Sequence, residues 1–319
     1  MSDAAKNHRA TDGKGLEEYD HGFDQFLDEE EIDINTFVLP PRPECPICML
    51  PLPFEAKLCT FHHCCGISIC RACGDSTFYG ELKRRLEDEP HASIDFSSMQ
   101  KCQFCRNNPP NDLKERLSAL KKLVECGNNS AMAQLASVYR NGEGVPVDHK
   151  RGVELHHMTA RAGGSLACYR LGIMYWEGKT LDGIVIEKDE RKAKRLFTRG
   201  ARLGDPTCLY NLGVMRSEDY SNDDYIQYVL KAASSGCQTA LDTVKKMYIA
   251  IFIPKIEYAN ALRSFQAVHD EINSEARKRF NKRLASKQTM EDLFQMNERE
   301  QIETISNVLR CDFNNVCCR

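Results

Sequence analysis

The alternation of hydrophobic and polar positions divides the chain into three parts. Residues 1–38 are polar and acidic, residues 44–106 are rich in cysteine, and from Pro109 onward apolar residues recur at helical spacing. The helical part repeats itself, because Leu135, Leu171 and Leu212 hold equivalent places in similar segments, at intervals of 36 and 41 residues. Each segment is followed by a loop, a second amphipathic run and an Ala-x-x-Gly close. The pattern therefore predicts two helices per repeat.

Glycines indicate where these helices end, and other small residues indicate where neighbouring helices pack closely. Gly163, Gly204 and Gly236 close the second runs, where a helix needs a C-terminal stop, and Asp148 is a candidate N-cap. Neither helix of a pair can bury its apolar face alone, so neighbouring pairs are expected to stack around one continuous core. Close approach of the helices is expected at four small residues, Ala131, Ala167, Gly172 and Gly213.

The combination Leu-[Gly/Ala]-x-x-Tyr, Gly-x-Gly-Val-x-x-Asp and the Ala-x-x-Gly close resembles the Sel-1-like repeat, a relative of the tetratricopeptide repeat. The resemblance covers residues 128–236 and is weakest in the third repeat, where Arg216 replaces the tyrosine. A degraded fourth unit is expected to begin at Cys237 and to run on as helices through Lys255 to Arg310, with that end acting as a cap. The predicted fold is an all-α solenoid of helix-turn-helix repeats over residues 110–250, followed by a C-terminal helical cap and tail over 251–319.

The compartment decides how the cysteines are read. The N-terminus has no apolar run of the kind that a secretory signal carries, and the longest apolar stretches fall far short of the ~20 residues of a membrane span. The sequence therefore predicts a cytoplasmic or nuclear protein without a membrane span. In such a reducing setting the sixteen cysteines indicate metal binding rather than disulfides.

Nine of the sixteen cysteines lie between Glu44 and Arg106. Three Cys-x-x-Cys pairs begin at Cys45, Cys70 and Cys102, and a fourth pair is expected within the His-His-Cys-Cys run at residues 62–65. Two intervening residues let both sulfurs of a tight turn point at one ion, and zinc takes four thiolate or imidazole ligands in a tetrahedron. Eight ligands predict two Zn²⁺ ions.

This spacing of pairs resembles the RING finger, a small cross-brace zinc-binding domain, over residues 44–106. In that family the first pair shares a metal with the third, and the second with the fourth. The resemblance implies one zinc on Cys45, Cys48, Cys70 and Cys73, and a second on Cys65, Cys102, Cys105 and either Cys64 or His63, with Cys64 preferred. Cys59 and His62 are left out as bystanders. The chain departs from the common RING pattern at Ile67, where many members have a histidine.

RING proteins that act as ubiquitin-protein ligases form no covalent intermediate, because they only hold a ubiquitin-conjugating enzyme in a reactive pose. The resemblance therefore implies contact residues and no catalytic residue of the chain's own. Ile47 matches the apolar position that grips the conjugating enzyme, and Arg106 matches the linchpin that hydrogen-bonds ubiquitin and its carrier. Gln103 departs from the usual proline. The helical repeats would select a protein substrate or partner.

Two other functions remain open beside the ligase, a non-catalytic adaptor and a lipid-binding finger. In the first, the zinc module would be a protein-docking part of an adaptor or scaffold. A lipid-binding FYVE finger also contains His-His-Cys, but the arginines that grip phosphates are missing, and only Lys57 is nearby. A PHD finger would carry a tryptophan before its last pair, whereas Trp176 lies in the repeats. No nucleotide-binding, hydrolase or metalloprotease motif is present.

Charge adds one expectation about the N-terminus and one about partners. Residues 1–40 carry eleven acidic against three basic residues, whereas the rest of the chain has a mild, dispersed positive excess. Nucleic acid is therefore not an expected partner. Residues 1–38 are predicted to be a disordered acidic arm, with a short docking motif at Phe23, Phe26 and Leu27 as the alternative.

Isolated cysteines and histidines in the repeats are expected to be structural. Four thiols stand where small apolar side chains belong and are predicted to lie in the core: Cys126, Cys168, Cys208 and Cys237. His156 and His157 lack a second pair of ligands one helical turn away and are predicted to be partly solvated.

Overall fold

The computed structural model describes residues 23, 27, 31–53, 58–74, 101–181, 184–216, 222–272 and 277–278. Expectations for the rest of the acidic arm, for residues 75–100 between the third and fourth cysteine pairs, and for the tail from residue 279 lie outside the described residues. The chain forms two compact units, Met1–Pro41 with Asn111–Gln266, and Arg42–Pro110 with Ala267–Arg319.

The first unit is built of consecutive helices that pack on their neighbours along the chain. A short antiparallel hairpin, β3 (Lys179–Leu181) and β4 (Ile184–Ile186), fills the long loop between the fourth and fifth helices. The helices are α1 (Leu113–Glu125), α2 (Asn129–Asn141), α3 (His149–Arg161), α4 (Ser165–Glu177), α5 (Glu190–Arg202), α6 (Pro206–Arg216), α7 (Asp223–Ser234), α8 (Gln238–Ile249) and α9 (Lys255–Ile272). The all-α solenoid predicted from the sequence is confirmed. Among the described helices, none combines the length and apolar character that a bilayer span requires.

The helix boundaries follow from capping side chains and left-handed glycines. Asp148 caps α3, where its carboxylate accepts a hydrogen bond from the backbone N–H of Arg151, as predicted. Gly163, Gly204 and Gly236 have φ of 89°, 91° and 97°, which L side chains rarely adopt. These glycines therefore end α3, α5 and α7 at the predicted places.

Close packing between helices depends on missing side chains. A Cβ added to Gly172 would lie 2.5 Å from the ring of Phe197, and one added to Gly213 would lie 2.7 Å from Cβ of Tyr228. Ala131 and Ala167 are also fully buried, so the four predicted small contact residues are confirmed. One apolar core runs through the helices from α3 to α9.

Three of the four isolated thiols are in the core as predicted, and the prediction for Cys126 is wrong. Cys168, Cys208 and Cys237 are buried, and burial raises the pKa of Cys168 to about 12. Cys126 is exposed because it follows the last turn of α1 as its C-cap.

The predicted solvation of His156 and His157 is also wrong, since both are buried in α3. Burial, assisted by the nearby positive charges of Arg170 and Arg140, lowers the pKa of His156 to about 3. His157 lies edge-on to Tyr175, and the tyrosine hydroxyl is 3.3 Å from its Nε2 atom.

The N-terminal segment differs from the predicted disordered arm wherever it is described. Phe23, Leu27, Ile32 and Ile34 are buried and belong to the same core as the repeats. The polar composition of the segment favoured disorder, but these four apolar side chains pack against the repeat helices. The described positions of the docking motif therefore pack within the chain itself.

The predicted C-terminal cap also divides between the two units. Ile253 and Ala261 are buried with the repeat core, whereas the chain from Ala267 onward belongs to the unit that contains the cysteine pairs. That unit holds the second hairpin of the described chain, β1 (Cys59–His62) and β2 (Ile67–Cys70).

Candidate metal centres

Two Cys-x-x-Cys turns share the same backbone design. In the first, the N–H of Met49 donates to the carbonyl of Cys45 over 2.8 Å, and the N–H of Cys45 donates to the carbonyl of Leu50 over 2.9 Å. In the last, the corresponding bonds are 2.9 Å from Arg106 to Cys102 and 2.9 Å from Cys102 to Asn107. These bonds fold each turn tightly, so that both of its sulfurs can face one point.

The residue after each of these turns has a left-handed backbone. Met49 has φ of 56° and Arg106 has φ of 61°. This conformation is uncommon for residues other than glycine, and here it closes the turn. The position of Arg106 is therefore fixed by the cysteine turn that precedes it.

The β1–β2 hairpin positions the cysteines of the middle of the unit. Its strands are antiparallel, with Cys59 opposite Cys70 and His62 opposite Ile67. The turn between the two strands contains Cys64 and Cys65. A helical turn after Cys70 contains Cys73. Cys65 therefore lies two residues before β2, and Cys70 is the last residue of that strand.

The eight cysteines predicted as ligands form two groups. Within each group all four sulfur atoms lie within 4.8 Å of one another. The first group joins the first and third pairs along the sequence, and the second joins the second and fourth. The groups are Cys45, Cys48, Cys70 and Cys73, and Cys64, Cys65, Cys102 and Cys105.

The spacing of the sulfurs fits a tetrahedral metal. Four thiolates at the usual Zn–S distance of about 2.3 Å lie roughly 3.8 Å apart. The sulfurs of Cys48 and Cys70 are 3.9 Å apart, and those of Cys65 and Cys102 are 3.6 Å apart. Each group could therefore hold one metal ion without rearrangement.

The backbone around each group favours the thiolate form of one cysteine. Burial opposes ionisation of Cys45, but backbone hydrogen bonds from Cys48, Cys70 and Ile47 lower its pKa to about 7. Burial likewise opposes ionisation of Cys102, and backbone N–H groups of Cys105 and Phe104 lower its pKa. Since the thiolate is the form that binds metal, each group contains a ligand that is readily deprotonated.

The three other candidate donors lie outside the two groups. Cys59 is half-buried, and its thiol is 3.7 Å from the carbonyl of Pro53. Burial, with the nearby charge of Cys70, raises its pKa to about 11. His62 and His63 pack edge-on against Phe104 and Phe61, respectively.

Arg277 lies beside the first group of cysteines, and the sequence did not predict this contact. Its guanidinium is 3.4 Å from the sulfur of Cys48 and donates hydrogen bonds to the carbonyls of Pro51, over 2.7 Å, and Ile272, over 2.6 Å. It is almost fully buried. Burial opposes its charge, but hydrogen bonds and electrostatic attraction to the sulfurs of Cys70 and Cys48 raise its pKa. Arg277 thus places a positive charge beside a group that carries up to four negative ones.

We expect Arg277→Met to accelerate release of zinc from the loaded protein by about 10- to 100-fold, the usual effect of losing a group that supports metal ligands. Arg277→Lys keeps the charge but not the fork of donors, so its effect should be intermediate. Release is measured with a chromogenic chelator, and Lys278→Met, an exposed neighbour, is the control. Equal release rates for Arg277→Met and the unaltered protein would show that the guanidinium does not support the ligands.

The two predicted partner-contact residues are exposed. Ile47 is 37% exposed between the cysteines of the first turn, and Arg106 is exposed after the last. Met49 adds a second exposed apolar side chain next to Ile47. Gln103, which stands in the place of the usual proline, is partly buried.

Comparison with family models identifies the repeats but does not identify the cysteine unit. The Sel1 repeat family model matches residues 129–164 and 165–205. These ranges contain α2 with α3 and α4 with α5, one helix pair each. The chain therefore carries Sel1 repeats, and α6 with α7 continues the same arrangement. A search of curated proteins gave no match.

Solved structures of several bacterial proteins resemble the chain. A Sel1 repeat protein from Oxalobacter formigenes is 26% identical over 41% of this chain and 97% of its own, with a TM-score of 0.36. A protective antigen of uropathogenic Escherichia coli strains, which displays an SLR fold, is 20% identical over 51% of this chain and 36% of its own, with a TM-score of 0.39. An immunity protein from Pseudomonas aeruginosa is 20% identical over 63% and 66%, with a TM-score of 0.34.

The chain thus combines a protein-interaction scaffold of Sel1 repeats with two cysteine groups that could each hold a metal ion. Stacked helix pairs of this kind offer extended surfaces to other proteins.

Proposed function

We propose that this chain is a zinc-binding RING-type ubiquitin-protein ligase of the cytoplasm or nucleus. The cysteine unit would bind two Zn²⁺ ions in a cross-brace and recruit a ubiquitin-conjugating enzyme, while the repeats hold a protein substrate or partner. The observation that supports it best is the order of the cysteines, because the two groups join alternate pairs along the sequence.

Zinc would act structurally, by cross-linking two cysteine pairs that are separated in sequence. The protein's own residues would then position the conjugating enzyme. Ile47 and Met49 offer exposed apolar contacts beside the first turn, and Arg106 offers a planar guanidinium after the last turn. Five N–H donors in a rigid fork suit simultaneous hydrogen bonds to two partners. The gain in rate would come from holding the ubiquitin thioester in one reactive pose.

The ligase proposal predicts ubiquitin chains on the protein itself when it is incubated with ATP, ubiquitin, activating enzyme and a panel of conjugating enzymes. Ile47→Ala and Arg106→Gly should each lower the rate by about tenfold or more, the loss expected when a central contact of an interface is removed. Glycine suits the left-handed backbone at Arg106, so a loss there is due to the side chain. Lys101→Ala, at an exposed residue next to the last turn, is the control.

Zinc content is measured on the same samples, because the substitutions should lower the rate without releasing metal. If no conjugating enzyme supports chain formation while both zinc ions stay bound, the chain is a non-catalytic zinc-binding adaptor instead. The replacement of the usual proline by Gln103 is the feature that favours this second function.

A further inference from the structure

The N-terminal segment lies across one face of the repeats, with Phe23 as its first anchor. The ring of Phe23 is fully buried and lies edge-on to His157 of α3, with the ring centroids 4.5 Å apart. The guanidinium carbon of Arg161 is 5.6 Å from the centroid of Phe23, and the ammonium of Lys192 on α5 is 5.9 Å from it. A pocket with cations near an aromatic ring selects an aromatic side chain.

Backbone carbonyl groups hold the next part of the segment. The guanidinium of Arg195 on α5 donates to the carbonyl of Leu27, and the hydroxyl of Tyr228 on α7 donates to the carbonyl of Ile32 over 2.9 Å. Leu27 and Ile32 are themselves buried. The described residues of the segment therefore contact the second helices of three successive pairs, α3, α5 and α7. Side chains of these helices would donate the same hydrogen bonds to the backbone carbonyls of any peptide bound along this path.

An acidic side chain lies between these anchors. The carboxylate of Glu31 pairs with Lys194 on α5 and, over 3.2 Å, with Arg216 at the end of α6. The side chain of Glu31 is 60% exposed, so water and salt can compete for these pairs. The face thus presents five cations to a segment whose sequence is strongly acidic around residue 31: Arg161, Lys192, Lys194, Arg195 and Arg216.

We propose that this face of α3, α5, α6 and α7 is the partner-binding site of the repeats, and that it accepts acidic peptide segments with an aromatic anchor followed by aliphatic anchors. The described part of the chain's own segment, residues 23, 27 and 31–34, occupies the site in cis and must be displaced by such a partner. The proposal depends on the proposed function only in taking the repeats as the module that holds a substrate or partner.

The chain's own segment, while it is bound, competes with a partner peptide for the same site. A tethered segment competes at an effective concentration in the millimolar range, so only a partner that binds well can displace it. Both ion pairs of the described segment are made by the exposed Glu31 and contribute little each, and this helps to keep the segment displaceable.

The test uses the full chain and a fluorescent synthetic peptide with the sequence of residues 19–37. We expect the peptide to bind the Glu31→Lys protein severalfold more tightly than the unaltered protein, because the substitution replaces two weak ion pairs by repulsion from Lys194 and Arg216. Phe23→Ala in the full chain should increase peptide binding further. The control protein is Val38→Ala, at an exposed residue beyond the anchors. A control peptide with Phe23 replaced by alanine should bind at least about tenfold more weakly.

Equal binding of the peptide to all four proteins, or binding to none of them, would overturn the proposal. If Phe23→Ala fails to fold, Glu31→Lys still decides the matter, since that side chain is exposed. Limited proteolysis of the unaltered protein gives a second answer. Excess unlabelled peptide should make the chain around residues 31–34 susceptible to cleavage while the repeat helices stay intact, and persistent resistance would show that the segment is a permanent part of the core.

Peptide binding and ubiquitin-chain formation are also measured side by side on the zinc-loaded protein. Peptide binding without chain formation by any conjugating enzyme would retain this docking site and reject the ligase. Chains without peptide binding would do the reverse.

Discussion

Replacing Cys45 by serine should lower the zinc content from about two ions per chain to about one, and the first cysteine turn should lose its structure. Cys45 is fully buried and is one of four sulfurs within 4.8 Å of one another. A serine hydroxyl is a poor zinc ligand, and the three remaining thiolates would be left close together without the metal that compensates their charge. The repeats have their own core, so their thermal unfolding should change little. Zinc is measured by mass spectrometry, and unfolding by circular dichroism.

Cys59→Ser is the matched control for that experiment. It makes the same chemical change in the same unit, at a thiol that lies outside both groups and 3.7 Å from the carbonyl of Pro53. It should leave about two zinc ions in place. The two-centre assignment is wrong if Cys59→Ser loses an ion, or if Cys45→Ser keeps both.

Gly200→Ala should destabilise the repeats by about 1–3 kcal/mol, the usual cost of overfilling a packed core. A Cβ at Gly200 of α5 would lie 2.3 Å from the sulfur of Cys208 and 3.3 Å from Cβ of Cys168. Both neighbours are completely buried, so neither can move away freely. The free energy of unfolding is measured by urea denaturation, followed by circular dichroism.

Gly152→Ala is the same change in a different helix and should have a different effect. Its added Cβ would come no closer than 3.4 Å, to the carbonyl oxygen of Ala136. Alanine in a helix is favoured over glycine by roughly 0.5–1 kcal/mol, so this variant should be neutral or slightly more stable. Equal losses of unfolding free energy for the two variants would show that steric contact at position 200 is not the cause of the destabilisation.

The sequence could predict those parts of the fold that repeat or that depend on neighbouring residues. Leu135, Leu171 and Leu212 recur at nearly constant spacing, and glycines end the second helices, so these patterns alone are enough to locate the helix pairs. The Cys-x-x-Cys pairs are local turns, and their number predicted two metal sites. The resemblance to the RING finger implied which cysteines share a site, and the structure brings the same two groups of four together.

The features that the sequence did not reveal depend on contacts between distant residues. Arg277 meets Cys48 across 229 positions, and nothing in the residues around it marks it as a neighbour of sulfur. Phe23 stands in a polar, acidic stretch, and its burial depends on a pocket made by α3 and α5. His156 is buried because the neighbouring helices cover it, which the pattern of its own helix did not indicate.

The contact between Arg277 and the first cysteine turn also sets an order of events during synthesis. Cys45 and Cys48 leave the ribosome early, but the arginine that supports them follows only after every repeat helix has been translated. Domains generally fold as units while the chain emerges, so the helices can assemble while the early thiols still lack this support. The cysteine unit would therefore reach its final form late in synthesis, and a metal ion bound by the first group before residue 277 is made would be held less firmly.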